Sequence, residues 1–243
     1  MKIIDCLLTK SYTGFYFDDQ KAIKEDAKLD GFVYLGKPKT LGFTSVRQPG
    51  EAISIQLILE DGSCAVGDCC AVQYSGAGGR DPLFLADEFL PFIKEHIVPL
   101  LIGEDVSRFR ELAEKYDHLI INGHRLHTAI RYGLTQALLN ATAIANKLTK
   151  AEVIRKEYHI NDDKYQIIPV FTQSGDDRYI NADKMIIKEA DVLPHALINN
   201  LDKLGLHGEK LIEYIVWLRD RVLKLRKKDD YYPIFHIDTY GTI

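Results

Sequence analysis

The feature that most limits what this chain can fold into is a parallel crossover near its end. Gln166-Ile167-Ile168-Pro169-Val170-Phe171 is a continuous apolar run closing in the polar loop Gln173-Ser174-Gly175-Asp176-Asp177. An unbroken apolar run of that length reads as a parallel strand buried on both faces. Leu211, Ile215, Leu218, Val222 and Leu225 follow at every third or fourth position, with Arg219, Arg221, Lys224 and Arg226 off the stripe. This predicts an amphipathic helix whose basic residues form a solvated face. Ile234-Phe235-His236-Ile237-Asp238 is a second strand, and strand, helix, strand in this order makes a right-handed parallel unit. Two such strands and one crossover cannot bury both faces of their own sheet, and Ile243 falls in a strand-to-helix loop. The expectation is a parallel-sheet domain that is cut short.

Upstream the pattern is antiparallel. Ile3-Ile4-Asp5-Cys6-Leu7-Leu8 reads as a strand, and Ile53 to Leu59 alternates with a two-residue period before Glu60-Asp61-Gly62-Ser63 and the run Cys64-Ala65-Val66. Asp-Gly between two such runs signals a hairpin. Helices come next. Asp81 and Pro82 look like an N-cap and first-turn pair opening a helix over Leu83 to Ile102, with Gly103 as its stop. A second amphipathic stretch covers about Val106 to Asp117. The third runs from Leu126 to Leu148, with apolar residues every three or four positions and Ala129, Gly133, Ala143 and Ala145 beside them. Small residues in that number predict a helix packed tightly in the middle of a bundle. Asn161-Asp162-Asp163-Lys164 is a polar break, which places a boundary between an α+β domain, 1–162, and a parallel-sheet domain, 163–243.

Charge and composition exclude several functions. Thirty-one Lys plus Arg against thirty-five Asp plus Glu gives −4, so no long-range field draws nucleic acid or anionic lipid. The most apolar long stretch, Phe89 to Gly103, is interrupted by Lys94, Glu95 and His96, and no window is long enough to span a bilayer. Met1-Lys2-Ile3-Ile4-Asp5 lacks the sections of a signal peptide, so a cytoplasmic location is expected. Cys6, Cys64, Cys69 and Cys70 show no C-x-x-C spacing and are expected to be buried thiols rather than a disulfide framework or zinc site.

Strand alternation decides which polar side chains share a face. Ile234, His236 and Asp238 point one way, Phe235 and Ile237 the other, while Phe171 and Gln173 fall together. Polar residues at the carboxyl ends of parallel strands sit where barrel and open-sheet enzymes place their sites. Asp238 there is a hard oxygen ligand suited to magnesium, or else a turn aspartate. His195, after Pro194 and shortly before Asn199-Asn200, is a candidate for proton or carboxylate work, or a structural histidine. The glycine-rich loop from Gln73 to Asp81 leads into a helix start and can offer N–H groups to an anion. It lacks the Lys-Ser/Thr of a P-loop and the dinucleotide fingerprint. A loop beside a carboxylate substrate, or a plain turn, fits it better.

Longer blocks carry a resemblance. Gly14 to Gln20, Gln73 to Leu85 (QYSGAGGRDPLFL), Arg125 to Gly133, Gln173 to Tyr179, Asp183 to Asn200 (DKMIIKEADVLPHALINN) and Phe235 to Asp238 together resemble the methylaspartate ammonia-lyase family of the enolase superfamily. The resemblance implies an N-terminal α+β capping domain, 1–162, followed by the first strands of an enolase-like (β/α) barrel, 163–243, with the barrel truncated. It implies reversible loss of ammonia from 3-methylaspartate to give mesaconate, in anaerobic glutamate breakdown. Magnesium is required, and a monovalent cation such as K+ assists. Carried over by position, it makes Asp238 the first of three magnesium carboxylates and Gln173 a substrate contact. His195 becomes a catalytic residue near the substrate carboxylate, Gln73 a loop residue closing over the pocket, and Phe171 part of its lining. The family's other two metal carboxylates and its lysine base lie beyond residue 243, so the isolated chain is expected to be inactive. The full-length enzyme is expected to be a homodimer acting on a small amino acid. Two other arrangements remain: half of a split lyase completed by a separate barrel chain, and a non-catalytic capping or interaction module.

Overall fold

Two-residue alternation at the start of the chain becomes an antiparallel sheet. In the computed structural model, which describes residues 1–72, 81–160, 167–175, 177–198 and 200–239 but not the side chains of 194 and 195, β1 (Ile3–Asp18) pairs antiparallel with β4 (Arg47–Leu59). β4 then pairs with β5 (Cys64–Cys70), giving the order β1-β4-β5. The hairpin expected at Asp61-Gly62 is present. Gly62 takes φ 82°, which only glycine adopts without strain, and the Asp61 carboxylate accepts from the Ser63 N–H at 3.0 Å. Gln48 and the alternate β4 residues Ile53, Ile55, Leu57 and Leu59 are buried. The chain divides into two compact units, 1–161 and 162–243.

Between β1 and β4 the chain makes α1 (Gln20–Glu25) and a small hairpin of β2 (Lys28–Asp30) and β3 (Val33–Leu35). Two carboxylates hold this excursion. Asp19 is fully buried and caps α1 through Lys21 and Ala22 N–H groups, while accepting from the Lys39 N–H at 2.5 Å, the Thr40 N–H at 2.9 Å and the Thr40 hydroxyl at 2.6 Å. Asp18 receives Arg47 in a two-pronged pair, Nε at 2.7 Å and a terminal nitrogen at 2.9 Å. The Arg47 guanidinium also lies over the rings of Tyr16, Phe32 and Tyr34, 4.1 to 4.8 Å from their centres.

The helix expected over Leu83 to Ile102 is broken into three. α2 (Ala86–Phe92) passes into a π-helical turn, Ile93–Ile97, and then α3 (Val98–Leu101). Pro99 explains the break: it has no N–H for the ladder and its ring crowds the preceding turn, and a wider turn absorbs the mismatch. Asp81 does not cap this helix. Its carboxylate accepts from the Thr128 N–H at 2.6 Å and so serves a different one. Gly103 is the stop as expected, at φ 89°, with its N–H on the Ile3 carbonyl at 2.8 Å.

α4 (Phe109–Asp117) is followed by a two-residue hairpin, β6 (Ile120–Ile121) with β7 (His124–Arg125), then α5 (Thr128–Asn146) and α6 (Lys150–Glu157). α6 opens with a capping box between Thr149 and Glu152. Its last residue, Glu157, accepts from the Phe109 and Arg110 N–H groups at 2.8 and 2.6 Å, capping α4 from outside. The small residues of α5 do not mark the centre of a bundle. They let the helix lie against the backbone of β5. A Cβ on Gly133 would sit 2.5 Å from the Cys69 nitrogen, and one on Gly67 would meet the Gly133 carbonyl and sit 2.5 Å from the Ala137 nitrogen. Cys6 and Cys69 are buried, and burial pushes the Cys6 thiol up to about 11. Cys64 is exposed and Cys70 half-buried, against the expectation of four buried thiols, because they fall on the outward pleat of β5 and at its end.

The second unit contains β8 (Phe171–Gly175), α7 (Arg178–Ile187), β9 (Val192–Leu197), α8 (Leu201–Leu204), α9 (Glu209–Leu225) and β10 (Ile234–Asp238). The sheet is parallel in the order β10-β9-β8. Among the described residues there are three strands here, not two. Of the apolar run expected to be a buried strand, residues 167–170 are neither buried nor regular: Ile167 is 94% and Ile168 85% exposed. Pro169 denies the ladder a donor there, and the Val170 N–H goes to the Asp191 carboxylate at 2.7 Å. Pairing starts where the Val192 N–H meets the Val170 carbonyl, and the strand runs on through the segment expected to be loop. β9 escaped notice because Pro194 interrupts it.

Helices cover one side of this sheet. Ala182, Met185 and Ile186 of α7 with Leu218 and Val222 of α9 form a core with Leu193, and Phe235 packs against it. The α9 basic face is only partly solvated, since Arg221 forms a two-pronged pair with Asp183 of α7, its Nε at 2.6 Å.

Two stability measurements follow from the first unit. Gly133→Ala should cost about 1–3 kcal/mol, because the helix must lift from the sheet; a melting temperature equal to the parent's would refute the close contact. Asp19 offers a test by pH. Burial raises its carboxyl pKa, but hydrogen bonds from the Thr40 hydroxyl and the Lys39, Thr40 and Ala22 N–H groups outweigh this and hold it below the usual range. A depressed folded-state pKa contributes stability that is complete above about pH 4 and is lost as pH falls through the folded value. Asp19→Asn should therefore be less stable at pH 7 and converge on the parent in acid; two parallel stability curves down to pH 2 would exclude this.

Candidate active site

The alternation that turns Phe235 toward the helices turns its neighbours the other way. Ile234 is 59% and Phe171 50% exposed, and Gln173 and His236 are exposed beside them. The rings of Phe171 and His236 lie 5.2 Å apart at 56°, although they belong to the two outer strands of the three. Their contact puts the face of β8 that carries Phe171 and Gln173 on the same side of the sheet as the face of β10 that carries His236 and Asp238. Three of the five expected site residues are therefore brought to one surface by backbone geometry alone.

β9, between them, is not regular. Between the pairs Leu193–Phe235 and Ala196–Ile237, two residues of β9 stand against one on β10. Against β8, Val192 to His195 likewise stands opposite Phe171 to Gln173, and β8 then regains the register, with Gln173 to Gly175 opposite His195 to Ala196. The extra residue lies at Pro194-His195. A proline in a central strand is tolerated at such a bulge, where the ladder needs no donor, and bulges re-aim the chain next to active sites. His195 is by register the partner of Gln173. Its side chain lies outside the described residues, as does Gln73.

Each strand end is held in place. The Thr172 hydroxyl donates to the Val192 carbonyl at 2.7 Å, and the Asn181 amide of α7 donates to the carbonyl of buried Ser174 at 2.9 Å. Gln173 is thus presented by a strand fastened on both sides of it. Asp238 is the last residue of β10, paired with Leu197, and its carbonyl accepts from the Ile198 N–H at 2.8 Å. At the opposite ends of the strands, Asp191 binds both flanks: its carboxylate takes the Val170 N–H and its carbonyl the Ile234 N–H at 2.9 Å. Asn200 caps α8 through the Lys203 N–H at 2.9 Å, which accounts for one of the two asparagines following His195.

Asp238 suits a hard divalent cation in donor chemistry and in position. Among the described residues no group of three or more His, Cys, Asp and Glu is placed to hold a metal ion, and a hard divalent cation takes about six oxygens, more than one carboxylate offers. His236 was visible in the sequence as a member of the Asp238 face, but nothing there pointed to its contact with Phe171. Asn181 and Thr172, which fasten β8, carried no recognisable signal, because their partners are carbonyls on other segments. Among the described residues no helix is long and apolar enough to cross a membrane.

Comparison with known proteins gives a consistent set of matches. A family model described as methylaspartate ammonia-lyase N-terminus matches residues 1–159, and one described as methylaspartate ammonia-lyase C-terminus matches residues 163–243. The methylaspartate ammonia-lyase of Clostridium tetanomorphum is 64% identical over 244 residues, and that of Citrobacter amalonaticus 61%; each match takes in all of this chain and 59% of the relative. The chain thus spans about 59% of the length of these curated relatives. The magnesium complex of the Clostridium tetanomorphum enzyme superposes with a TM-score of 0.91, covering 100% of this chain and 59% of that one. The Citrobacter amalonaticus enzyme containing (2S,3S)-3-methylaspartic acid gives the same score and coverage at 61% identity. Muconate cycloisomerase from Pseudomonas fluorescens, 13% identical with a TM-score of 0.55, shares the fold alone and covers 100% of this chain and 52% of that one.

Proposed function

The chain belongs to the methylaspartate ammonia-lyase family, and on that premise we propose that it forms the capping domain, 1–162, and the opening strands of an enolase-like (β/α) barrel, 163–243, of a magnesium-dependent ammonia-lyase. The observation that carries this reading is the shared face of Phe171, Gln173 and Asp238 on a parallel sheet whose other side is covered by helices. A stand-alone capping module would have no use for such a face.

The reaction is the reversible elimination of ammonia from 3-methylaspartate to mesaconate. Taking a proton from the carbon next to a carboxylate drives negative charge onto that carboxylate, and catalysis depends on groups already placed where the charge develops. When bound, magnesium supplies Lewis-acid neutralisation at the carboxylate oxygens. Asp238 is one of its oxygen ligands in this reading. His195 donates to the substrate carboxylate as charge builds, and Gln173, its register partner, holds the substrate through an amide that both donates and accepts. Phe171 gives the pocket an apolar wall that excludes water. Gln73 is a further substrate contact from the glycine-rich loop. The proton-abstracting lysine and the remaining metal carboxylates are assigned to the part of the relatives' length that this sequence does not match, on the same polypeptide or on a complementary barrel chain. A monovalent cation such as K+ as activator, a homodimeric assembly and a cytoplasmic site of action complete the reading.

Absorbance of the conjugated product tests it. Residues 1–243 alone should form no mesaconate, and activity should appear once the complementary barrel segment is joined or added. Robust turnover by residues 1–243 alone would refute the placement of base and metal ligands elsewhere. In the active assembly, His195→Ala should lower turnover about 100- to 1,000-fold with little change in magnesium requirement. Asp238→Asn should raise that requirement, and Gln173→Ala should mainly raise KM. A normal magnesium titration for Asp238→Asn would remove Asp238 from the metal site.

A further inference from the structure

Phe171 and His236 meet across an intervening strand, and nothing in the proposed reaction uses the histidine. Neighbouring strands lie about 4.8 Å apart, so residues on β8 and β10 start roughly twice that distance from each other. The two rings close that gap to 5.2 Å between centres, at an inclination of 56° typical of aromatic pairs. Register shows how. Phe171 and Ile234 are both partners of Val192, so His236 rises one full pleat above the level of Phe171, and the rings lean toward each other where β9 makes its bulge. On the opposite pleat Phe235 is anchored in the helix-facing core. β10 therefore cannot slide or roll without exposing that core, and the position of His236 is fixed from below.

We infer that His236 is a positioning residue of the site: its imidazole sets the tilt of the Phe171 ring, and through it the shape of the apolar wall against which the substrate side chain rests. The inference rests on the lyase reading for the role of Phe171, but the ring contact itself does not. In this contact with Phe171, His236 acts through the shape of its ring. A residue with a ring of similar shape should replace it, whereas a small residue should leave Phe171 free to turn.

The test uses the active assembly with 4-fluorophenylalanine in place of phenylalanine, the Phe171 fluorine resonance being assigned with Phe171→Leu. Without substrate, His236→Ala should shift the Phe171 resonance, and His236→Phe should leave it ordered. With substrate, His236→Ala should raise KM for 3-methylaspartate about two- to tenfold, the range expected for loss of one aromatic pair. Turnover and magnesium half-saturation should stay within about twofold of the parent, because a ground-state wall contact is lost rather than a transition-state donor. His236→Phe should restore KM. An unmoved Phe171 resonance in His236→Ala, an unchanged KM, a shifted magnesium requirement, or a His236→Phe enzyme as impaired as His236→Ala would each overturn the inference. A parent that binds no 3-methylaspartate, with a Phe171 resonance that still answers to His236, would instead defeat the lyase reading and leave the ring positioning standing.

Discussion

Everything at the candidate site depends on one packing event, the burial of Leu193 and the packing of partly buried Phe235 under α7 and α9. A parallel strand has two sets of side chains, and committing one set to a helix layer commits the other to the opposite side. Each large apolar side chain so buried contributes about 1.5–3 kcal/mol. Turning the strand over would forfeit all of it at once. Gln173 and Asp238 therefore need no favourable interaction of their own to stand where they do. The Arg221–Asp183 pair reinforces this by tying α9 to α7, with the guanidinium fork holding the Asp183 carboxyl below the usual carboxylate range.

The first unit solves a different problem. An antiparallel sheet can leave one face in water, and β1, β4 and β5 do so, with the covering helix brought down until backbone meets backbone at Gly67 and Gly133. Such an approach leaves no space for error in helix position. It explains why α5 is fastened so firmly at its start, where His127 accepts from the Ala129 N–H through Nδ1 and donates from Nε2 to the Pro82 carbonyl.

Sequence reasoning succeeded where chemistry is local. The Asp61-Gly62 turn, the Gly103 stop, α9 and β10 each carry their signal within a few residues, and alternation alone assigned Phe171, Gln173 and Asp238 to shared faces. It failed where a distant partner decides. Apolar residues 167–170 resemble a strand, yet Pro169 and the Asp191 carboxylate displace the pairing downstream. Pro194 hides β9 because a proline belongs in a central strand only if neighbouring strands accept a bulge, and those neighbours are not visible at that point in the sequence. The small residues of α5 announced a close approach without saying to what. For the site, residue chemistry alone left Asp238 and His195 each with a structural alternative, and only the resemblance of whole blocks assigned them roles.

The bulge in β9 also governs how this segment can change in length. Leu193, Ala196 and Ile198 are all buried, a spacing of three and then two that a straight strand cannot satisfy, since it returns to the same face only at even intervals. The extra residue resets the phase. Deleting one residue at 194 or 195 would straighten the ladder with β10, break the register that β8 regains at Ala196, and exchange inward and outward positions as far as the loop into α8. Insertions and deletions in this strand are thus constrained by parity: a change of two residues could be absorbed by lengthening or shortening the strand, while a change of one would invert its end.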